Sequence, residues 1–452
     1  MKQGLSHLAL HRDLSSRVLR LAYPVVLGSL SVTLLSVVDT IFVGRLGAAP
    51  LAASGIAGVL YFAIVFPLAA IGVGVQTLTA RRFGEGNYSQ CGEITRNGLI
   101  LAALLGLPLI VSAPWLARWT APLLSSDPEV RRLGTIYLQY RTYGAVFMFL
   151  NWTFRAFFAG IGETRHQMIG SIIVTVANLV LDLLLIFGYA GFPRMGIQGA
   201  ALASTLALAC GTVYFGTVYL LPRYRSRFSP RGAAPSGRRW MKPIVRLSLP
   251  IVGQRILSNG SWFAFFAIVS RIGTIELAAT NIIRSVYGLT IMLAVGMGTA
   301  AAALVGQNLG AKRPDDAEKL AWESAKLAAY VMGILGLLFL FAPGWVLRVY
   351  TSDAAVIAAG RMPTFYLGFV QIFAGVSLVL SQSLQGAGNT RFVMMVELVV
   401  CLGLYLPTVY LLGIHARLGL LGAWTGEYIY WIFLAAIMTL RFRRGKWKSI
   451  EV

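Results

Sequence analysis

Two acidic residues interrupt runs of apolar residues in which no water is expected. Asp39 lies in LLSVVDTIFVG, and Asp182 lies in ANLVLDLLLIFG. A carboxylate at the centre of a membrane costs on the order of 2.5–3.5 kcal/mol on insertion scales, so two of them indicate a function. Asn178 precedes Asp182 by four residues, which places both side chains on one face of a helix. Their oxygens suit a hard cation, and two close carboxylates in a low dielectric also favour a shared proton.

Structural roles compete with this interpretation. Asp39 could cap a helix near the membrane surface or pair with Arg45, whereas the neighbours of Asp182 are all aliphatic. Pro24 precedes Asp39 by fifteen residues in the same run. Because proline removes a backbone hydrogen bond, we predict a conformational hinge there; the alternative is a tolerated proline in the first helical turn. Glu397 lies six residues after Arg391 and could pair with it or line a pathway.

No pattern in the sequence indicates catalysis. The three cysteines (Cys91, Cys210 and Cys401) are far apart, and the four histidines form no pair at ligand spacing. There is no catalytic triad, no zinc-binding H-E-x-x-H and no P-loop, so ATP drive is not expected. We predict that the chain is not an enzyme and needs no cofactor; H⁺ or Na⁺ would act only as a coupling ion.

The composition is that of a protein dissolved in lipid. Of 452 residues, 57% are hydrophobic and 12% are charged, about half the charge of an average soluble protein. A spanning helix needs about 20 apolar residues, which leaves room for about twelve spans. The fold class expected is therefore all-α integral membrane. The apolar runs lie at 18–44, 50–80, 94–118, 133–157, 167–190, 196–221, 244–270, 276–306, 322–347, 358–385, 392–415 and 419–441.

The basic residues indicate topology. The net charge is +22, but Lys and Arg cluster between apolar runs and form no aromatic-rich basic surface, so no nucleic acid partner is expected. Alternate loops hold most of them, and the richer side should be cytoplasmic. We therefore predict a multi-pass protein of the cell (inner) membrane with both termini and the basic linker 222–243 in the cytoplasm.

The second half of the chain repeats the first at an offset of 226 residues. This shift places Pro24 on Pro250 and Gly160-x-Gly162-x-Thr164-Arg165 on Gly386-x-Gly388-x-Thr390-Arg391. Six spans per half is an even number, so the repeats are parallel and related by a pseudo-twofold axis along the membrane normal, an architecture suited to alternating access. The predicted domains are an N-terminal lobe (1–221, with the cation site), the linker 222–243 and a C-terminal lobe (244–452).

The acidic pair has no counterpart in the second half. The same shift places Asp39 on Phe265 and Asp182 on Thr408. A cation site in the second half would have to use Glu397, Asn259 or Gln254, which are one acid and two amides. We therefore expect ion coupling to be confined to the first half.

The sequence resembles the multidrug and toxic compound extrusion (MATE) family, and within it the damage-inducible (DinF) and archaeal-type branch more than the Na⁺-coupled NorM group. The resemblance covers essentially the whole chain. The matching stretches are Pro24 with VVDTIFVGRLGAAPLAA, ARRFGEGN, GIGETR, ANLVLDLLLIFG, GIQGAALAS, GQNLGAKRPDDAEK and LQGAGNTR.

The family resemblance implies a fold, a function and a site. It implies two six-helix lobes in a V shape with a cavity between them, exporting drugs in exchange for H⁺ or Na⁺. By resemblance, Asp39 is the first-helix acid, and Asn178 and Asp182 are the fifth-helix pair. Ser204, followed by Thr205, stands where the family usually has Thr. The seventh helix has no acid where the NorM branch carries a glutamate.

The sequence thus predicts a monomeric antiporter in the lipid bilayer for amphipathic, often cationic, organic compounds. Asp39, Asn178 and Asp182, with Ser204 and Thr205, would bind the coupling cation, including Na⁺ if that ion is used. A flippase for lipid-linked saccharides would need a more arginine-rich centre. An integral-membrane enzyme would need a polar catalytic cluster, and a passive channel would not explain duplicated lobes with acids in one half.

Overall fold

The computed structural model describes residues 10–229 and 237–451, and within these ranges every regular element is a helix. Residues 230–236 of the predicted linker lie outside the described ranges. The helices are α1 (Arg12–Gly44), α2 (Ala48–Val65), α3 (Ile71–Gly84), α4 (Tyr88–Leu124), α5 (Pro128–Tyr143), α6 (Ala145–Gly160), α7 (Arg165–Phe187), α8 (Ile197–Leu220), α9 (Pro222–Phe228), α10 (Met241–Val269), α11 (Thr274–Gly310), α12 (Pro314–Phe341), α13 (Pro343–Arg348), α14 (Ala354–Gly386), α15 (Thr390–Val400), α16 (Leu406–Tyr410) and α17 (Gly419–Arg443).

These helices confirm the predicted fold class. In the described part of the chain, ten helical segments are long and apolar enough to cross a membrane. The other two predicted spans are α10 and the pair α5 and α6, which meet at Gly144. The span from Thr390 to His415 contains two π-helical stretches, Cys401–Tyr405 and Leu411–His415, on either side of α16.

The backbone follows the repeat of the sequence at its turns and helix caps. Asp127 and Asp353, 226 positions apart, each accept hydrogen bonds from the backbone N–H groups of the residues two and three positions later and so cap α5 and α14. Gly162 and Gly388 both have positive φ, at 82° and 91°. Gly86 (φ 77°) is matched by Lys312 (φ 57°), which adopts the left-handed conformation in spite of its side chain.

The described contacts divide the chain into two compact units, Met1–Val26 with Gly253–Val452, and Leu27–Val252. Both divisions fall two residues after a proline inside a helix, Pro24 in α1 and Pro250 in α10. Pro24 therefore does not lie in a first turn. The lobe boundaries predicted from the repeat, at 221 and 244, stay predictions about domain organisation.

In each unit, a glutamate accepts hydrogen bonds from residues at or near the start of a helix. In the unit with the second half, Glu323 of α12 is 1% exposed and its Oε1 accepts hydrogen bonds from the His11 N–H and the Ser15 hydroxyl, both at 2.6 Å. In the other unit, Glu93 of α4 accepts from Trp240 Nε1 at 3.0 Å, just before α10. The starts of α1 and α10 are thus fixed by buried or half-buried polar contacts.

Candidate functional site

The two predicted acids meet in the unit Leu27–Val252. Asp39 lies five residues before the end of α1, and Asp182 lies in α7. Their carboxyl groups lie close enough to interact electrostatically. A hydrogen bond between two carboxyl groups forms only when one of them carries a proton. In the described part of the chain, Asp39 forms no ion pair with Arg45, so the structural alternative finds no support there.

The site contains several buried polar atoms without hydrogen-bond partners. They are Oδ1 of Asp39, both carboxyl oxygens of Asp182, and Nδ2 of Asn178. Asp182 is 1% exposed and Asn178 is 2% exposed, so bulk water does not supply the hydrogen bonds that these side chains lack. Buried polar groups are nearly always paired, and a cluster of unpaired ones marks a position where a cation or proton fits.

Ser204 and Thr205 of α8 have different contacts. The Ser204 hydroxyl donates to Oδ1 of Asn178 at 3.4 Å, so Ser204 joins the acidic pair through the amide. The Thr205 hydroxyl donates to the main-chain carbonyl of Tyr140 at 2.9 Å and so connects α8 to α5. Adjacent helical residues point about 100° apart, which explains why only one of them contacts Asn178.

Arg141 of α5 is a part of this site that the sequence analysis missed. Its guanidinium lies 5.1 Å from the centre of the Tyr61 ring, and it attracts Asp39 and Asp182 electrostatically. Tyr137, one turn earlier on α5, is close to the same charges. Arg141 occurs in YLQYRTYG within a predicted span. An arginine inside an apolar run was therefore the available signal.

The charged groups of the site match one monovalent cation. Two carboxylates and one guanidinium leave a formal charge of −1, so one added positive charge neutralises the group. The Asn178 oxygen accepts from Ser204, and its N–H₂ group has no hydrogen-bond partner. A proton needs only a carboxylate oxygen, whereas Na⁺ takes several oxygens and would also use the second lone pair of the Asn178 oxygen.

The second half contains buried acids as well. Glu397 of α15 is 6% exposed and accepts a hydrogen bond from Gln254, which in turn accepts from Gln385 at 3.2 Å. Arg391 is exposed and forms no ion pair with Glu397 among the described residues. Nδ2 of Asn259, the other amide considered for this half, is buried without a partner.

Glu427 of α17 is a buried acid that the sequence analysis overlooked. It is 4% exposed, and its Oε1 accepts from Trp431 Nε1 at 2.8 Å and from the Tyr287 hydroxyl at 3.4 Å. The sequence signal was an acid within an apolar stretch, GAWTGEYIYW. Neutral aromatic donors thus satisfy Glu427, in contrast to the unpaired oxygens of Asp182.

The loop GIGETR, which joins α6 to α7, forms a polar contact outside the spans. Glu163 accepts a hydrogen bond from Tyr224 of α9 and forms an ion pair with Arg223 at 3.1 Å. Its carboxylate also lies 3.6 Å from His166 Nε2. Hydrogen bonding from His166, then from Tyr224, and attraction by Arg223 together lower the pKa of Glu163 below its ordinary value. This contact holds the short helix α9 against the loop.

An all-helical chain with spans of this length, an internal repeat and a buried acidic pair is an integral-membrane transporter. The family model described as MatE matches residues 24–184 and again residues 250–411. The chain therefore belongs to the MatE family, and the two matches begin at the two equivalent prolines, which confirms the duplication.

Curated relatives and solved structures agree with this assignment. The chain is 26% identical to a probable multidrug resistance protein NorM of Thermotoga maritima over 444 residues, 97% of this chain and 94% of that protein. It is 29% identical to a multidrug resistance protein NorM of Burkholderia vietnamiensis over 433 residues, 94% of this chain and 92% of that protein.

Two solved structures show the same fold. One is described as the outward-facing conformation of a multidrug resistance MATE family transporter of the MOP superfamily, with a TM-score of 0.88, 21% identity, and coverage of 99% of this chain and 98% of that one. The other is a MOP superfamily transporter from Pyrococcus furiosus, with a TM-score of 0.87, 22% identity and 99% coverage of both chains.

Proposed function

We propose that this protein is a secondary active transporter that exports amphipathic, often cationic, organic compounds from the cell. The observation behind this proposal is the double match to the MatE family, together with relatives that are named multidrug resistance proteins. The chain acts as a monomer in this proposal. Transport is driven by an ion gradient.

The coupling site is the cluster of Asp39, Asn178 and Asp182, with Ser204 supporting the amide. Thr205 has a positioning role between α8 and α5. The coupling ion we propose is H⁺. A proton needs only the facing carboxyl groups, and its charge matches the single negative charge left by Arg141. Na⁺ is the competing candidate.

Within the family, we assign the chain to the damage-inducible and archaeal-type branch, although the two curated relatives described above carry the name NorM. The support is the distribution of acidic residues among three helices, α1, α7 and α10. The first half carries Asp39 and Asp182, whereas the described helix α10 contains no acidic residue where the NorM branch has a glutamate.

Ion coupling is confined to the first half in this proposal. Glu427 is satisfied by neutral donors and Glu397 by Gln254, so neither presents the group of unpaired oxygens found at Asp182. The second half then moves with the transport cycle without binding the coupling ion.

The protein lies in the cell (inner) membrane with both termini and the linker 222–243 in the cytoplasm. The support is the excess of Lys and Arg on that side. Ser226 of α9 is exposed and suits a labelling test. Ser226→Cys, made with Cys210→Ser to remove the exposed native thiol, should react with a membrane-impermeant maleimide only after the cells are opened. Reaction in intact cells would reverse the orientation.

Purified protein in sealed vesicles tests the function. Vesicles loaded with a fluorescent cationic dye are given an inward or outward pH gradient, and separately a Na⁺ gradient, at constant membrane potential. Dye movement that follows the pH gradient and is unaffected by Na⁺ supports proton exchange. Dye movement that follows the Na⁺ gradient would mean that Na⁺, and not H⁺, is the coupling ion. The efflux proposal would be contradicted if no tested cationic dye moved in response to either gradient.

A further inference from the structure

The start of α1 forms one wall of a groove of about 1010 Å³ in the unit that contains the second half. Leu327 of α12 also lines it. We refer to this as the helix-start groove. Its floor includes Ser15, whose hydroxyl donates to the buried Glu323. The groove therefore lies over a fixed part of the structure.

One stripe of α1 lines the groove. Arg12, Ser16, Leu19, Arg20 and Tyr23 follow one another at intervals of three or four residues, apart from the adjacent pair at 19 and 20, and so share a helix face. All five are exposed. The opposite face of α1 is packed into the core, where Val18 is 0% exposed.

The charge in the groove is positive and uncompensated. Within the described ranges, no carboxylate forms an ion pair with Arg12 or Arg20. The nearest buried acid, Glu323, is already engaged by Ser15, His11 and Lys326. Asp13 is exposed on α1 but does not line the groove. Two guanidinium groups without acidic partners attract an anion, and arginine binds phosphate with two parallel hydrogen bonds.

The apolar residues of the groove continue along the same stripe. Leu19 is 45% exposed and Tyr23 is 51% exposed, although both belong to a helix that goes on to span the membrane. The arginines are eight residues apart, or about 12 Å along the helix axis. The groove therefore presents positive charge and hydroxyl groups beside exposed apolar surface. Its ligand should have a negative head and an apolar body.

We propose that the helix-start groove binds one anionic phospholipid, with its phosphate headgroup on Arg12 and Arg20 and an acyl chain along Leu19, Tyr23 and Leu327. Basic pockets between transmembrane helices are known to suit such headgroups. A cationic drug would be repelled by both arginines, so this site is separate from transport of such compounds. The lipid would bridge α1 and α12 above the contact of Ser15 with Glu323.

Lipid retention by the full-length protein tests this proposal. Wild-type protein and the variant Arg12→Gln/Arg20→Gln are mixed in detergent with equal amounts of phosphatidylglycerol and phosphatidylcholine, and bound lipid is counted by native mass spectrometry. The matched control is Arg17→Gln, an exposed arginine on the same turns of α1 that does not line the groove. All three substituted residues are exposed, so the variants should remain folded.

Wild type and Arg17→Gln should each retain one phosphatidylglycerol in preference to phosphatidylcholine. The double variant should lose this preference by about tenfold or more, since hydrogen bonds between charged groups are lost. Equal loss in Arg17→Gln would mean that general positive charge, and not this groove, selects the lipid. Retention of the preference by the double variant would overturn the proposal.

A second pair of measurements tests the amphiphilic nature of the site. Leu19→Asn should weaken phosphatidylglycerol binding several-fold while leaving the arginines in place. Inorganic phosphate at millimolar concentration should not displace the lipid. Displacement by phosphate alone, or an unchanged affinity in Leu19→Asn, would show a simple anion site and contradict the bound phospholipid.

Discussion

Ser204 donates a hydrogen bond to Oδ1 of Asn178 at 3.4 Å, which favours one orientation of the amide. The Asn178 nitrogen has no hydrogen-bond partner, and neither has either carboxyl oxygen of Asp182, about one helical turn further along α7. An unpaired donor and unpaired acceptors therefore lie on one face of this helix. An arrangement of this kind supports a carboxylate that alternates between a protonated and an ionised form.

The amide and the acid of α7 should act as one unit. Asp182→Asn and Asn178→Ala should each reduce proton-coupled transport, and the two effects should not add, because residues that act on one bound ion couple by about 0.5–3 kcal/mol. The transport rates of wild type, the two single variants and the double variant together form a double-mutant cycle. Ser204→Ala should also reduce proton-coupled transport, but by less than Asn178→Ala. Strictly additive losses would mean that Asn178 and Asp182 act separately.

Asp39→Asn should abolish export while the protein still inserts and folds. The amide can form hydrogen bonds to Asp182 but cannot release or accept the coupling proton. Drug resistance of cells at equal expression should fall at least tenfold. Asp13→Asn, an exposed acid on the same helix, is the matched control and should leave resistance unchanged. Wild-type resistance of Asp39→Asn cells would give Asp39 a structural role only.

The two buried acids of the second half test the asymmetry of coupling. Glu397→Gln and Glu427→Gln should both keep ion-driven transport, because each amide can replace a carboxylate that neutral donors already satisfy. Vesicle transport under a pH gradient, measured beside Asp39→Asn, provides the comparison. If either glutamine variant loses coupling as fully as Asp39→Asn, the second half also binds the ion.

Lys312→Gly should stabilise the protein. Lys312 has a φ of 57°, and its counterpart in the first half is a glycine. The strain energy removed by glycine should be larger than the cost of the greater conformational entropy that glycine gives the unfolded chain. The free energy of unfolding should therefore rise by about 0.5–1 kcal/mol. Thermal unfolding in detergent should show a higher Tm. Arg313→Gly is the control, since Arg313 has a φ of −117°, and it should lower the Tm.

The Glu163 contact should stabilise the protein at neutral pH and not in acid. The pKa of Glu163 is lower in the folded state, so its contribution is complete above the unfolded value of about 4.3 and disappears as the pH falls through the folded value. Wild type should therefore be more stable than Glu163→Gln at pH 7, and the difference should shrink below about pH 4. A difference that does not depend on pH would show that ionisation of Glu163 is not its source.

Helix positions were predictable because they depend on local properties of the sequence. The runs containing Asp39 and Asp182 are apolar for about 20 residues, and lipid requires such runs to form helices. The acidic pair was predictable for the same reason, since a charge in lipid is costly wherever it lies. How closely the two carboxyl groups approach each other was not, because that depends on how α1 and α7 are rotated against each other.

Arg141 and Glu427 were missed for a physical reason. An ionisable residue in a span can extend to the membrane surface or turn inward, and the sequence does not separate these outcomes. In α5 the rotation of the helix places Arg141 by Tyr61 and the acids, and in α17 it places Glu427 under Trp431. Thr205 was grouped with Ser204 although α8 directs it to Tyr140.

The division of α1 after Val26 and of α10 after Val252 also affects what happens when the chain is cut. A protease that cleaves between Ser229 and Gly237 would break the only covalent connection between the fragments. Yet residues 241–252 of the carboxy-terminal fragment would stay packed against the amino-terminal fragment. In the same way, the start of α1, which belongs to the amino-terminal fragment, would stay packed against the carboxy-terminal fragment. The fragments should therefore remain associated after cleavage, and each alone would lack part of a helix that completes its core.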